Sequence, residues 1–264
     1  MTITDSRSHP PIRWTQRAEL VYLLVRKDLR VRYKSSVLGY VWALANPLCY
    51  TMVYYVTFKV IMQSPVPDFA LYLVTGLYPW NWIASTLIQG TNAYRANETL
   101  VRRVKMPLPI IPLGIALQEA VHFVFTLPVL IGALWLTNAG WHLSWLALIP
   151  LMLAVQMAII YPMSLALAGA NVVVRDVEYL IAIVLQMLFF LTPIVYTVDQ
   201  MPQELRWWLN LNPFSSLLAS WRSVLFDGVL DPLVLAQCLL VAAIASALAF
   251  AVHRAVGRRV GELL

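Results

Sequence analysis

Long apolar segments alternate with short polar ones along the 264-residue chain. A transmembrane helix needs about 20 mostly apolar residues, which is the length that crosses the hydrocarbon core of a bilayer. Six segments meet this requirement, and we predict a membrane-spanning helix in each: 37–62, 69–90, 110–136, 144–174, 179–198 and 233–252. The pattern therefore predicts an all-α membrane protein with six transmembrane helices, in which 35–264 forms the transmembrane domain.

Two further segments do not read as spans, yet their patterns predict ordered structure. In 14–34, apolar residues recur at helical spacing and basic residues fall mostly elsewhere on the helix, which is typical of an amphipathic helix lying in the membrane interface. The segment 199–232 is apolar but is interrupted by Pro202, Pro213 and Gly228. We expect it to form a pair of short re-entrant helices between the fifth and sixth spans.

Composition and charge narrow the class of protein and predict its orientation. Hydrophobic residues make up 60% of the chain and charged residues 12%, whereas a soluble domain is about one-quarter charged. This excludes an ordinary soluble enzyme, and it leaves too little chain outside the apolar segments for a nucleic-acid-binding domain. Sixteen of the 19 Lys and Arg residues fall in 1–34, 92–109, 175–178 and 253–264. Because basic connections stay in the cytoplasm, we expect both termini there.

No catalytic or metal-binding motif accompanies the apolar segments. The sequence contains no GxxxxGK[ST] phosphate-binding loop, no HExxH and no GxSxG, and its four histidines are scattered. We therefore predict no catalytic residue, no metal site and no cofactor bound by this chain.

Two sets of side chains inside the predicted spans are candidates for function. Glu119 and His122 lie on one face of the third span and are either a polar contact in a transport path or a mutually satisfied pair at a helix contact. Aromatic residues near the middle of the second span are too deep for an interfacial belt, which suggests stacking on sugar rings. The candidate lining of such a channel is Tyr54, Tyr78, Trp80, Trp82 and Tyr196.

The connection 92–109 mixes apolar and basic positions and stops at Pro107 and Pro109. A short helix of this kind either docks into a groove on a soluble partner or is a solvated connection. The candidate docking residues are Arg95, Asn97, Glu98, Leu100, Arg102, Arg103, Lys105 and Met106.

Four stretches in order resemble the membrane subunits of ABC-2-type polysaccharide exporters, which are the permeases for O-antigen, teichoic acid and capsule. They are RKDLRVRYK at 26–34 with VLGYVWA at 37–43 and Pro47; GLYPW at 76–80; 97–109; and Arg175-Asp176 through FLTPIVY at 190–196 to LNP at 211–213 and Arg222. Together they span almost the whole chain. One departure is Leu108, where members of the family often have Arg after the proline.

The resemblance implies a homodimer in a bacterial inner membrane, paired with a separate ATP-binding subunit in a 2:2 complex. ATP and Mg²⁺ would bind to that partner, and 95–106 would form the coupling helix. The substrate implied is a polysaccharide on a polyprenyl-pyrophosphate lipid, with O-antigen as the first choice. A basic entrance for the pyrophosphate would be formed by Arg26, Lys27, Arg30, Arg32 and Lys34.

Three other functions remain open from the residues alone. A membrane-embedded transferase or phosphatase for lipid-linked sugars would need clustered carboxylates or a metal site. A proton-coupled carrier would need the Glu119–His122 pair to titrate, together with an inverted repeat. An ABC-2 exporter of a drug or small lipid would share the fold.

Overall fold

A computed structural model describes residues 18–27, 41–103, 107–136, 142–257 and 260–263. Among these residues every regular element is helical. In chain order the α-helices are α1 (18–27), α2 (Val41–Tyr55), α3 (Phe69–Thr91), α4 (Ala93–Ala96), α5 (Glu98–Arg103), α6 (Ile110–Leu136), α7 (Trp145–Val173), α8 (Val177–Leu191), α9 (Trp207–Leu211), α10 (Ser215–Arg222), α11 (Pro232–Val256) and α12 (Val260–Leu263). Wider π-helical turns extend α2 over Val56–Ile61 and α10 over Ser223–Asp227.

In the part of the chain that the structure describes, three helices are long and apolar enough to cross a bilayer: Ile110–Trp135, Trp145–Val173 and Pro232–Val256. At 1.5 Å per residue, the 29 residues of α7 extend over about 44 Å, which exceeds the thickness of a bilayer's hydrocarbon core. α11 begins at a proline in its first turn, and the Asp231 carboxylate accepts a hydrogen bond from the Leu233 backbone N–H at 2.8 Å. Both features favour helix initiation at this point.

α3 lies at the centre of the helix bundle and packs against α2, α6, α7, α8 and α10, while α7 packs in turn against α11. The core between α3 and α7 includes Ile83, Leu87, Met152 and Ile159, all fully buried. The two helices approach so closely at Gly90 that a Cβ atom there would lie 1.8 Å from Ser164 Oγ. Small residues at helix crossings allow this close packing in membrane proteins.

The helix ends form two groups, which set the two ends of the molecule. The basic end contains α4, α5, the first turn of α6 and the last turn of α7, and Leu20, Val21 and Leu24 of α1 pack onto it. Val260 of α12 is buried in the same apolar cluster. The opposite end contains the connections 62–68 and 142–144 and the segment 192–231, where Ser144 Oγ donates a hydrogen bond to Gly228 O at 2.7 Å.

The predicted bounds agree closely for the second, third, fourth and sixth spans, but the prediction for the fifth was wrong at its end. The predicted 179–198 is helical only as far as Leu191, and α8 has 15 residues, which extend over about 22 Å. Pro193 is the cause, because a proline disfavours helical geometry at the residue before it. Thr192 accordingly has φ −96° and ψ 139°. The predicted helix 14–34 is described only over 18–27, and that part is helical.

Candidate functional site

A groove opens beside α3, which contacts both α2 and α8, and encloses a cavity of about 170 Å³. Helical spacing brings its lining together, because positions three, four or seven residues apart share a face. We call it the central groove, and it is lined by Tyr50, Tyr54, Leu77, Trp80, Asn81, Ala84, Ile88, Ala182, Leu185, Gln186 and Phe189.

Aromatic rings form a rigid wall of the central groove. The Phe189 ring centroid lies 5.4 Å from that of Tyr54 and 6.0 Å from that of Trp80. Trp80 also packs edge-on against Phe214 at 5.7 Å and is only 4% exposed. Tyr50, by contrast, is 52% exposed and borders the open side of the groove.

Two carboxamides lie in the same groove, Asn81 near the middle of α3 and Gln186 in the C-terminal half of α8. Asn81 is half-buried and Gln186 is exposed. Within the described part of the chain, neither side chain forms a hydrogen bond. Polar groups at this depth are costly when they face lipid and usually mark a wet or functional surface. Neither residue was singled out from the sequence, although an isolated amide inside an apolar helix was the available signal.

The aromatic residues predicted to line a channel are found in different environments. Tyr54 and Trp80 lie together in the central groove. Trp82 is 2% exposed, stacks on Phe123 at 5.2 Å and donates its indole N–H to Ala116 O at 3.3 Å.

Tyr78 and Tyr196 also lie outside the lining of the groove. Tyr78 is 4% exposed and hydrogen-bonds to Thr51. Tyr196 is half-buried at the opposite end, and its carbonyl oxygen accepts a hydrogen bond from the Tyr72 hydroxyl at 2.8 Å.

The predicted polar pair lies away from the groove, between α3 and α6. Gln89 donates a hydrogen bond to Glu119 Oε1 at 2.8 Å, and Glu119 is 5% exposed. His122 is half-buried one turn further along α6. A helix-to-helix contact is thus present at Glu119, formed with an amide on the second predicted span.

Arg222 connects α10 to α3 and to the unwound segment after α8. Its guanidinium donates to the carbonyl oxygens of Pro193 at 2.5 Å and Ile194 at 3.1 Å, and it lies 3.7 Å from the Tyr72 ring centroid. A Cβ atom at Gly76 would lie 2.5 Å from Arg222 Nη2, so a larger residue at this position would displace the guanidinium from its present place. We call these five residues the Arg222 clasp.

A second contact between the same elements is made by Gln156 of α7. Its amide donates to the carbonyl oxygen of Pro79 at 3.0 Å and accepts from the Trp221 indole N–H at 2.6 Å. Gln156 and Trp221 are both fully buried. The amide thereby joins α10 to α3 beside the proline of that helix.

The predicted docking segment forms two short helices that are anchored at the basic end. Tyr94 is 2% exposed, and burial raises the pKa of its hydroxyl, so that group stays protonated. Leu100 also packs against the apolar cluster, and Asn97 Nδ2 donates to Ala93 O at 2.9 Å.

The outward side of this segment is polar. Arg102 Nε lies 3.0 Å from Glu98 Oε1, and the two side chains are 51% and 48% exposed. Arg95 is half-buried, and its Nε has no hydrogen-bond partner among the described residues. The side chain of Arg103 and all of Lys105 and Met106 lie outside the described residues.

Only part of the predicted basic entrance is described. Arg26 and Lys27 are exposed at the end of α1, and the Arg26 guanidinium lies 5.9 Å from the Tyr22 ring centroid. Arg30, Arg32 and Lys34 lie outside the described residues.

The fold and the groove define the class of this protein, which is an all-helical, multi-pass membrane protein with a polar and aromatic recess inside the helix bundle. The family model described as "ABC-2 type transporter" matches residues 19–226. The chain belongs to the ABC-2 type transporter family, and the resemblance seen in the residues is confirmed.

Named relatives share most of their length with this chain. The O-antigen export system permease protein RfbA of Klebsiella pneumoniae is 37% identical over 81% of this chain and 82% of its own length. RfbA of Myxococcus xanthus is 28% identical over 79% and 80%. The polysialic acid transport protein KpsM of Escherichia coli is 25% identical over 80% and 83%.

Proposed function

We propose that this chain is the transmembrane subunit of an ATP-driven exporter that moves a polyprenyl-pyrophosphate-linked O-antigen across the bacterial inner membrane. The observation that carries the proposal is the likeness to O-antigen export permeases, at 37% identity over 82% of the relative's length. In this proposal the six membrane spans are α2, α3, α6, α7, α8 and α11. The segment 199–232 re-enters the membrane from the outer side, and both termini are cytoplasmic.

The physical problem for such an exporter is the hydration of its cargo. A sugar polymer cannot cross about 30 Å of hydrocarbon unaided, because each hydroxyl would lose its hydrogen bonds to water. A channel between two copies of the chain avoids this loss. The aromatic and amide lining of the central groove supports its assignment to the wall of that channel.

ATP hydrolysis is assigned to a separate ABC ATPase, with two copies bound to two copies of this chain and with ATP and Mg²⁺ held by that partner. Its proposed docking site is α4 and α5. Tyr94 and Leu100 anchor these helices in the apolar cluster, while Glu98 and Arg102 stay exposed for contact. A displacement of α4 and α5 by the ATPase would be transmitted to α6 and α7, which contribute residues to the same apolar cluster.

The pyrophosphate of the lipid carrier would meet the basic residues from Arg26 to Lys34 at the cytoplasmic entrance. Arginine and lysine bind phosphate oxygens through charge-assisted hydrogen bonds. The exposure of Arg26 and Lys27 on α1 supports this assignment.

The proposal is tested by complementation in a strain that makes O-antigen through an ABC exporter and lacks its own permease. The chain is expressed together with the ABC ATPase subunit of that strain's exporter, and O-antigen at the cell surface is measured by antibody binding. We expect surface O-antigen to return with the wild-type pair and to be lost when the ATPase cannot hydrolyse ATP. Restoration of drug resistance without O-antigen would instead identify a small-molecule exporter.

A further inference from the structure

We infer that Asn81 and Gln186 are glycan-contacting residues, which bind the hydroxyl groups of an uncharged stretch of polysaccharide in the central groove. The inference rests on the proposed export function and assigns a role to two residues that the function did not require. Its basis is the juxtaposition in one cavity of aromatic rings with two carboxamides that have no hydrogen-bond partner among the described residues.

The side-chain amides of Asn81 and Gln186 have hydrogen-bonding groups that no described residue uses. A carboxamide has two N–H donors and one carbonyl acceptor. Within the described part of the chain, neither the Asn81 nor the Gln186 side chain forms a hydrogen bond. Leaving such groups in hydrocarbon costs several kcal/mol, so the groove is expected to face water or a polar ligand rather than lipid.

The carboxamide and aromatic side chains in the lining of the central groove together suit a sugar as the ligand. Sugar rings present hydroxyls around their edges and C–H groups on their faces, so they are bound by amides beside aromatic faces. Tyr54, which is half-buried, supplies an aromatic ring to the groove, and the Phe189 ring, which also lines it, packs against both Tyr54 and Trp80. None of the eleven lining residues is charged. The groove therefore fits neutral hydroxyl groups, and the described part of its lining offers no cation to a carboxylate or a phosphate.

The relative exposure of the two amides suggests how the contact is made. Gln186 is exposed and carries a long side chain, so it reaches into the open side of the groove. Asn81 is half-buried in the lining, one residue beyond Trp80 on α3. A glycan segment between the two helices would therefore be contacted from α3 and from α8 together, with the ring of Tyr54 beside it.

The test replaces each amide with leucine and measures the rate at which O-antigen appears at the cell surface. A hydrogen bond between the amide and the glycan would contribute about 0.5–1.5 kcal/mol to binding, and the leucine variant loses it. We expect Asn81→Leu and Gln186→Leu each to slow export by about 2-fold to 10-fold, since 1.4 kcal/mol corresponds to about tenfold. Gln237→Leu on α11 is the matched control, because Gln237 is exposed outside the groove. It should export at the wild-type rate.

Chemical labelling tests the groove independently of export. Gln186→Cys is made in a Cys49→Ser background, since Cys49 is an exposed thiol. The assembled complex in membranes is then treated with a charged, membrane-impermeant maleimide. We expect Cys at 186 to be labelled, and Cys at the control position 237 to react more slowly. The yield of the assembled complex identifies any variant that fails to fold, and the cysteine variant then carries the test.

Each other outcome overturns the inference in a distinct way. Labelling at 186 with unchanged export by both leucine variants would mean that the groove is wet but that the amides do not bind the glycan. No labelling would mean that the groove faces lipid, or a second copy if thiols at 186 cross-link between subunits. In both cases the exporter function stands. If the wild-type pair exports no O-antigen, the proposed function and this inference fail together.

Discussion

Arg222→Ala removes the centre of the Arg222 clasp, and the structure allows its cost to be worked out. The guanidinium donates to Pro193 O at 2.5 Å and Ile194 O at 3.1 Å and lies 3.7 Å from the Tyr72 ring centroid. Hydrogen bonds from a charged donor contribute about 1.5–3 kcal/mol each, and a cation–π contact about 0.5–2 kcal/mol. Burying the charged guanidinium costs free energy, and the alanine variant no longer bears this cost, which offsets part of the sum. We therefore expect a net loss of about 2–4 kcal/mol in the free energy of unfolding.

Gly76→Ala provides the matched perturbation on the facing helix. In the wild type its Cβ would lie 2.5 Å from Arg222 Nη2 and 3.3 Å from Cζ, so the guanidinium must move. Overpacking of this kind costs about 1–3 kcal/mol. Once Arg222 is alanine, the nearest remaining atom is Ile194 Cγ2 at 3.6 Å, an ordinary contact. Gly76→Ala should then be neutral or slightly stabilising, because alanine is the better helix former.

The assay is thermal unfolding of the purified protein in one detergent, with the wild type, both single variants and the double variant compared. We expect Arg222→Ala to lower the midpoint on the order of 5 °C or more. The double-mutant cycle should give a coupling energy on the order of 1–3 kcal/mol. The reasoning is refuted if Gly76→Ala has the same effect in both backgrounds, because the guanidinium then does not lie against that glycine.

Three further substitutions test other contacts by the same assay. In the wild type the Trp221 indole N–H donates to Gln156 at 2.6 Å, and Gln156→Leu leaves it without that partner. The substitution should lower the free energy of unfolding by about 1–3 kcal/mol, and an unchanged midpoint would contradict the hydrogen bond. Gly90→Ala puts a Cβ 1.8 Å from Ser164 Oγ and should lower the midpoint, with partial recovery when Ser164→Gly is added; no recovery would place the strain elsewhere. Arg102→Ala removes an exposed ion pair and should cost less than about 1 kcal/mol while it weakens stimulation of the partner ATPase; a large fall in the midpoint would show a structural role instead.

The helices that were predicted best are those whose structure depends on local pattern. Long apolar runs give α3, α6, α7 and α11 close to their predicted bounds, because an apolar segment of that length has few alternatives in a membrane. The fifth span was predicted too long because hydrophobicity continues past Leu191 while the backbone does not remain helical. The proline at 193 carried that information, but a count of apolar residues does not use it.

The lining of the central groove was harder to predict, since it depends on helix rotation. Adjacent helical residues point about 100° apart, so Trp80 faces the groove while Trp82 packs inward against Phe123. A cluster of aromatics in the sequence does not distinguish the two. Asn81 and Gln186 are brought together from different helices, which no single segment indicates.

The Arg222 clasp and the Gln156 contact depend on pairings that are distant in the chain. Gln156 and Trp221 are 65 residues apart, and Arg222 and Pro193 are 29 apart. In the sequence, Arg222 lies in the apolar segment 199–232, which prolines and a glycine interrupt, and no residue pattern indicates a partner for it. The partners are backbone carbonyls freed where α8 ends, and such acceptors have no signature in residue identity.

The most direct test of the central claim is whether this chain forms a working complex with a separate ABC ATPase. The chain is expressed with an ABC ATPase subunit from an O-antigen exporter, the membranes are solubilised mildly, and the ATPase activity of the co-purified material is measured. We predict a stable 2:2 complex whose ATPase activity falls when Arg102 and Arg103 are both changed to Glu. A chain that purifies alone, binds no ATPase and still processes a lipid-linked sugar would contradict the exporter and identify an enzyme.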